Sequence, residues 1–149
     1  MLKQQLQEEL KQSMLARDEL KTSVLRMLIS AINYYEIGKG GAGYSATDED
    51  VVSVIEKQVK QRQDSIEQFE KAGRMELADK EKKEMAILQV FLPEQMGEDE
   101  LKKLVDKAVL QSGATTIAEM GKVMGILMPK IKGKADGKLV SQIVREKLS

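Results

Sequence analysis

Apolar residues return every three or four positions along this chain, a period that a helix gathers onto one face and a strand cannot. Leu2, Leu6, Leu10 and Met14 set the pattern, with Gln, Glu and Lys between them, and predict a first helix ending near Arg17. Asp18 can cap a second helix that carries Leu20, Val24, Met27, Leu28, Ala31, Tyr34 and Tyr35 on one face and stops before Gly38. Thr47-Asp48-Glu49-Asp50 opens a third, with acids in the first turn where the helix dipole favours them. Its stripe is Val52, Ile55, Val59, Ile66 and Phe69, and Gly73 sits where a helix C-cap wants glycine. A fourth, from about Glu76 to Phe91, buries Leu77, Met85, Leu88, Phe91 and Leu92 before Pro93 stops it.

Three shorter helices follow. Leu101, Leu104, Val105 and Ala108 face inward on the first, which ends at Gly113. The next opens at the capping box Thr116-x-x-Glu119 and carries Ile117, Met120, Met124, Leu127, Met128 and Ile131, so Pro129 kinks it without ending it. The last is capped by Asp136 and buries Leu139, Val140, Ile143, Val144 and Leu148. No stretch reads as a strand, and five aromatic residues in 149 are too few for a β-sandwich. The expected fold is all-α: an N-terminal domain of long amphipathic helices over residues 1–92, a linker at 93–97 and a small three-helix tail domain over 98–149.

What is missing narrows the chemistry. Without Cys or His there is no thiolate nucleophile, no imidazole acid or base, no triad and no zinc or iron–sulfur site of the usual ligands. The hydroxyls of Ser13, Ser23, Ser30, Ser53 and Ser65 stand in no nucleophile turn and read as surface or capping groups. Gly38-Lys39-Gly40-Gly41-Ala42-Gly43 has no Gly-Lys-Ser/Thr after it and no strand before it, so it reads as a mobile connection instead of a phosphate loop. No catalytic residue, metal ligand or cofactor is expected. No apolar run approaches the ~20 residues of a bilayer span, and the polar N-terminus lacks a signal-peptide core. On those grounds a soluble cytoplasmic protein with no membrane role is expected.

The zero net charge is unevenly spread. Residues 1–96 hold 17 acids and 14 bases, and residues 97–149 hold 7 acids and 10 bases. Lys130, Lys132, Lys134 and Lys138 crowd a helix–Gly133–helix junction, where ammonium groups can converge on phosphates. The same cluster can also be read as ordinary solvated surface, and Gly121-x-x-x-Gly125 beside it as a packing face. In the N-terminal half, Arg62 interrupts the apolar stripe between Val59 and Ile66. With Arg74, Glu81 and Glu84 it can form an ion network between the third and fourth helices, either as a structural salt bridge or as a groove for a protein or RNA partner.

The tail resembles that of GatB, the tRNA-handling subunit of the glutamine-dependent aspartyl/glutamyl-tRNA amidotransferase. The resemblance is carried by Gly121, Met124, Lys132-Gly133-Lys134-Ala135-Asp136, Leu139-Val140 and Val144-x-x-x-Leu148. Almost the whole chain is similar to the stand-alone YqeY proteins of the same superfamily. The wider match runs through Leu25-Arg26-Met27-Leu28, Gln61-Arg62-x-x-Ser65, Leu77-Ala78-x-Lys80-Glu81 and Phe91-Leu92-Pro93-Glu94-Gln95. The resemblance implies a helical N-terminal domain, a helical tail that touches the body of a tRNA, and a place in translation. Lys130, Lys132, Gly133, Lys134 and Lys138 become the RNA-binding candidates.

The family label, carbon–nitrogen ligation with glutamine as amido donor, belongs on this reading to the enzyme complex, because this chain offers neither an activated nucleophile nor a nucleotide loop. The alternative is a protein-interaction adaptor that docks on the amidotransferase or other translation machinery through its N-terminal helices. The chain also departs from the GatB pattern: Asp136-Gly137 replaces the usual Asn-Pro, which puts a negative charge beside the lysines and a looser residue at the first helical position.

Overall fold

The computed structural model describes residues 1–149, Ala42 by its backbone alone. The fold is all-helical: α1 Leu2–Leu15, α2 Glu19–Gly40, α3 Asp48–Lys71, α4 Met75–Gln89, α5 Glu98–Ser112, α6 Met120–Ile131 and α7 Gly137–Leu148, with no strand among the described residues. The chain divides into two compact units, Met1–Leu92 and Pro93–Ser149. The first holds 16 acids and 14 bases, the second 8 acids and 10 bases.

In the first unit, Leu6 of α1, Val24, Leu25, Leu28 and Ile32 of α2, Val51, Val54 and Ile55 of α3 and Leu88 of α4 form one core. The helix ends are set by local chemistry. The Asp18 carboxylate accepts the Lys21 N–H, and Thr47 and Asp50 form a reciprocal capping box. Between α1 and α2 the chain turns at Arg17, whose φ of 57° lies in the left-handed region. The Asp18 N–H reaches back to the Ser13 carbonyl at 3.0 Å to close the turn.

Several expected faces are rotated. Met14, Met27 and Tyr34 are exposed, and Leu25 and Ile32 take the inward positions expected of Met27 and Tyr34. Apolar residues ring much of α2, and the partners α1, α3 and α4 select which stripe is covered. Ser13 is buried instead of lying on the surface, because its hydroxyl is satisfied by the Leu10 carbonyl at 2.8 Å and the Thr22 hydroxyl at 2.9 Å. Leu77 is exposed and Ala78 buried, so α4 turns a smaller residue toward α3. Helix α2 runs through Gly38 to Gly40, and it is Gly41, at φ 74°, that turns the chain out of the helix. Helix α4 stops at Gln89, short of Pro93, in tighter turns from Phe91 to Leu88 and from Leu92 to Gln89.

The second unit has its own aliphatic core of Leu101, Val105, Ala108, Ala114, Val123, Leu127, Ile131, Val140, Ile143, Val144 and Leu148. Gly113, at φ 72°, closes α5. The Thr116–Glu119 capping box is present but governs a short 3-10 turn, Ile117–Glu119, that leads into α6. Helix α6 passes through Pro129 to Ile131, leaving the Gly125 carbonyl without its helical donor. Ile117, Met128 and Leu139 are exposed where a buried position was expected. Among the described residues no helix is long and apolar enough to cross a membrane.

Candidate functional site

Five residues, 132–136, join α6 to α7. Lys134 and Ala135 both donate to the Ile131 carbonyl, at 2.8 and 3.2 Å. Gly133 adopts φ 77°, a conformation that strains any residue with a Cβ, and it lies buried inside the turn. Asp136 then caps α7 by accepting the Lys138 N–H at 3.1 Å. Lys130, Lys132, Lys134 and Lys138 are all exposed on this junction, and Gly133 alone of the five candidates points into the fold. Among the described residues no carboxylate lies within ion-pair distance of any of the four ammonium groups. The Asp136 carboxylate keeps its negative charge on the same segment but caps α7 and pairs with none of the lysines, so the four ammonium groups outnumber it there and none is held in an ion pair.

This junction is held from beneath by residues the sequence reading did not single out as a site. The Gln95 side-chain amide donates to the Gly133 carbonyl at 2.7 Å and to the Pro93 carbonyl at 3.1 Å. The Met96 N–H donates to the Lys134 carbonyl at 2.8 Å. The segment expected to be a linker thus bonds directly to the lysine loop within the second unit. The one sequence signal for it was Gln95 closing the Phe91–Gln95 motif, and spacing alone gives no hint that residues 38 positions apart meet.

In the first unit, Arg62 of α3 is only 7% exposed. Its Nη1 donates to Glu81 at 3.1 Å and also to Glu84, both on α4. Its Nε is buried without a hydrogen-bond partner. Arg74 takes no part: it is exposed at the N-terminus of α4, seven residues and so about 10 Å along the axis from Glu81. A second ion pair, Lys82–Glu70 at 2.9 Å, also joins α4 to α3.

A second polar cluster surrounds the start of α3. Asp50 accepts from the hydroxyls of Tyr44 at 2.5 Å and Tyr35 at 3.0 Å, and from the Thr47 N–H at 3.0 Å. The Tyr44 hydroxyl, followed by the Thr47 backbone, holds the Asp50 carboxyl far below the usual carboxylate range. The Asp50 carboxylate in turn pushes the Tyr44 hydroxyl up to about 12. Nearby, Lys3 pairs with Glu36 at 2.5 Å and holds that carboxyl low. This network ties the glycine-rich connection to α3. Sequence reading missed it because Tyr35 and Tyr44 lie on opposite sides of the glycines. No group of three or more acids is arranged to hold a metal ion among the described residues.

The pattern of the family described as Yqey-like protein matches residues 3–148. A Pyrenophora tritici-repentis protein named "Altered inheritance of mitochondria protein 41, mitochondrial" is 33% identical over 147 residues, covering 95% of this chain and 77% of its own. The Saccharomyces cerevisiae protein of the same name is 32% identical over 126 residues, 80% of this chain and 66% of its own. An uncharacterized protein of Schizosaccharomyces pombe is 37% identical over 89 residues, 60% of this chain and 70% of its own. These relatives overturn the expectation of a cytoplasmic protein, because the two named ones are mitochondrial. That expectation rested on the lack of apolar spans and of an apolar signal core at the N-terminus, properties that bear on membrane crossing and do not distinguish compartments such as the cytoplasm and the mitochondrion.

Proposed function

The chain belongs to the Yqey-like family, and from that premise we propose that it is a helical module that holds tRNA or another structured RNA through the lysine junction of its second unit. The observation that carries the reading is the set of four exposed lysines at 130, 132, 134 and 138 with no carboxylate partner. Four such groups release counterions when they meet phosphates, which makes binding strong at low salt and weak at high salt. The second unit contains no aromatic side chain to stack on a base, and Arg145 is its single arginine. Recognition is therefore of backbone and shape, without base-specific contacts.

The test is fluorescence anisotropy with tRNA across a salt series. With four phosphate contacts the slope of log K against log salt is about −3, a loss of roughly 60-fold between 50 and 200 mM. The variant with Lys130, Lys132, Lys134 and Lys138 all changed to Ala loses most of both affinity and slope. Binding unchanged by that variant overturns the proposal.

A second reading, a protein-docking adaptor in translation, is favoured by the exposed face of α2, where Met27, Tyr34 and Ile37 lie on one side with Tyr34 82% exposed. Tyr34→Glu abolishes capture of a partner on that reading and leaves RNA binding alone. The network of Arg62, Glu81 and Glu84 joins α3 to α4 on either reading.

A further inference from the structure

We propose that Gln95 is a positioning residue for the lysine junction: its side-chain amide straps the start of the second unit onto Gly133 and so holds Lys132 and Lys134 ready for phosphate. The inference rests on the RNA reading above and assigns that site its support.

The turn needs such support. Four ammonium groups within nine positions repel one another, and the turn's own bonds, from Lys134 and Ala135 to Ile131, fix only its inner edge. The Gly133 carbonyl belongs to a buried residue and requires a donor. A primary amide has two hydrogens, and Gln95 uses them on two carbonyls, Pro93 behind it and Gly133 in front. The Met96 N–H adds a parallel bond to Lys134. The carbonyls of Gly133 and Lys134 are therefore pinned by the strap, and the Lys132 N–H is held by the Met128 carbonyl at the end of α6, while the lysine side chains make no ion pair. Apparent affinity scales with the fraction of molecules in the binding-competent arrangement, so slackening the strap weakens binding without removing any charge.

The test uses the full chain with Gln95→Met, which keeps the side-chain length and removes the donor. Amide hydrogen exchange at Met96 is measured without RNA, and anisotropy with tRNA is measured over the same salt series. Gln95→Met removes two hydrogen bonds, of which the one to Gly133 reaches the turn; its loss accelerates Met96 exchange by about twofold to tenfold and raises the Kd for tRNA by up to that factor, in step with the fall in the strapped fraction. The salt slope stays at the wild-type value because the lysines remain. Unaltered Met96 exchange overturns the strap. Faster exchange with unchanged Kd overturns the positioning role. A reduced slope overturns it as well, by showing a lost phosphate contact. If wild type itself fails to bind tRNA at low salt while Gln95→Met still speeds exchange, the RNA reading falls and the strap stands as a structural bond only.

Discussion

Replacing Arg62 by Met leaves two carboxylates facing a position that no longer carries a positive charge. Glu81 and Glu84 lie three residues apart on one face of α4, with side chains 24% and 13% exposed, and the Arg62 side chain they share is 8% exposed. Breaking a fully buried ion pair from one side costs about 3–5 kcal/mol. Glu81 keeps some water, which places Arg62→Met at the lower end, about 3 kcal/mol. For a unit of this size that is a fall of about 15 °C in Tm. All three tyrosines lie in the first unit, so tyrosine emission during urea or thermal unfolding follows that unit alone. The variant with Arg62→Met, Glu81→Leu and Glu84→Leu together removes every charge and fills the same space with apolar atoms. It recovers to within about 1 kcal/mol of wild type or exceeds it, since a buried charge network is seldom better than good apolar packing. A loss below about 1 kcal/mol for Arg62→Met, or a triple variant no more stable than the single one, refutes the reasoning. Either would mean that the three side chains are solvated enough to ignore one another.

Acid and alkali act on the first unit through Asp50 and Tyr44. The Asp50 carboxyl sits below its ordinary 3.8 in the folded state, so its contribution is present above that pH and is lost as the pH falls further; Asp50→Asn flattens the acid limb of a stability curve read by circular dichroism. Tyr44 is raised from 10.0 to about 12, so its contribution is present below pH 10 and is lost as the pH climbs toward 12; Tyr44→Phe removes that alkaline limb. At the α1–α2 turn, Arg17→Gly relieves a left-handed residue of about 1–2 kcal/mol of strain against a smaller entropic loss, so Tm rises by a few degrees. A fall in Tm would show that the Arg17 side chain holds the turn by contacts of its own.

Local chemistry was readable where one residue type decides the outcome. Asp18, Thr47 and Asp136 cap helices as their side chains require, and Gly73 and Gly113 take the positive φ that closes α3 and α5. Arg62 stood out because a cation in an apolar stripe must find partners, and Glu81 and Glu84 were the acids within reach. The faces of the helices were less legible. Choosing between Tyr34 and Ile32 as the inward residue of α2 requires knowing where α1, α3 and α4 lie, which periodicity does not contain. Long-range polar pairs were least legible: Ser13 with Thr22, Tyr35 and Tyr44 with Asp50, and Gln95 with Gly133 depend on where loops return.

The division into two units of opposite sign bears on the salt series proposed for the lysine junction. The second unit is net positive by two and the first net negative by two, counted from their acids and bases. At about 0.15 M salt the screening length is ~8 Å, and only charges near the contact matter. At 0.01 M it grows to ~30 Å, and charges well beyond the contact then count as well. On the proposed RNA reading, diluting the buffer therefore brings in charges other than the four lysines, and the slope measured there no longer counts only the phosphates they touch. Moderate salt is where the junction's own charge speaks for itself.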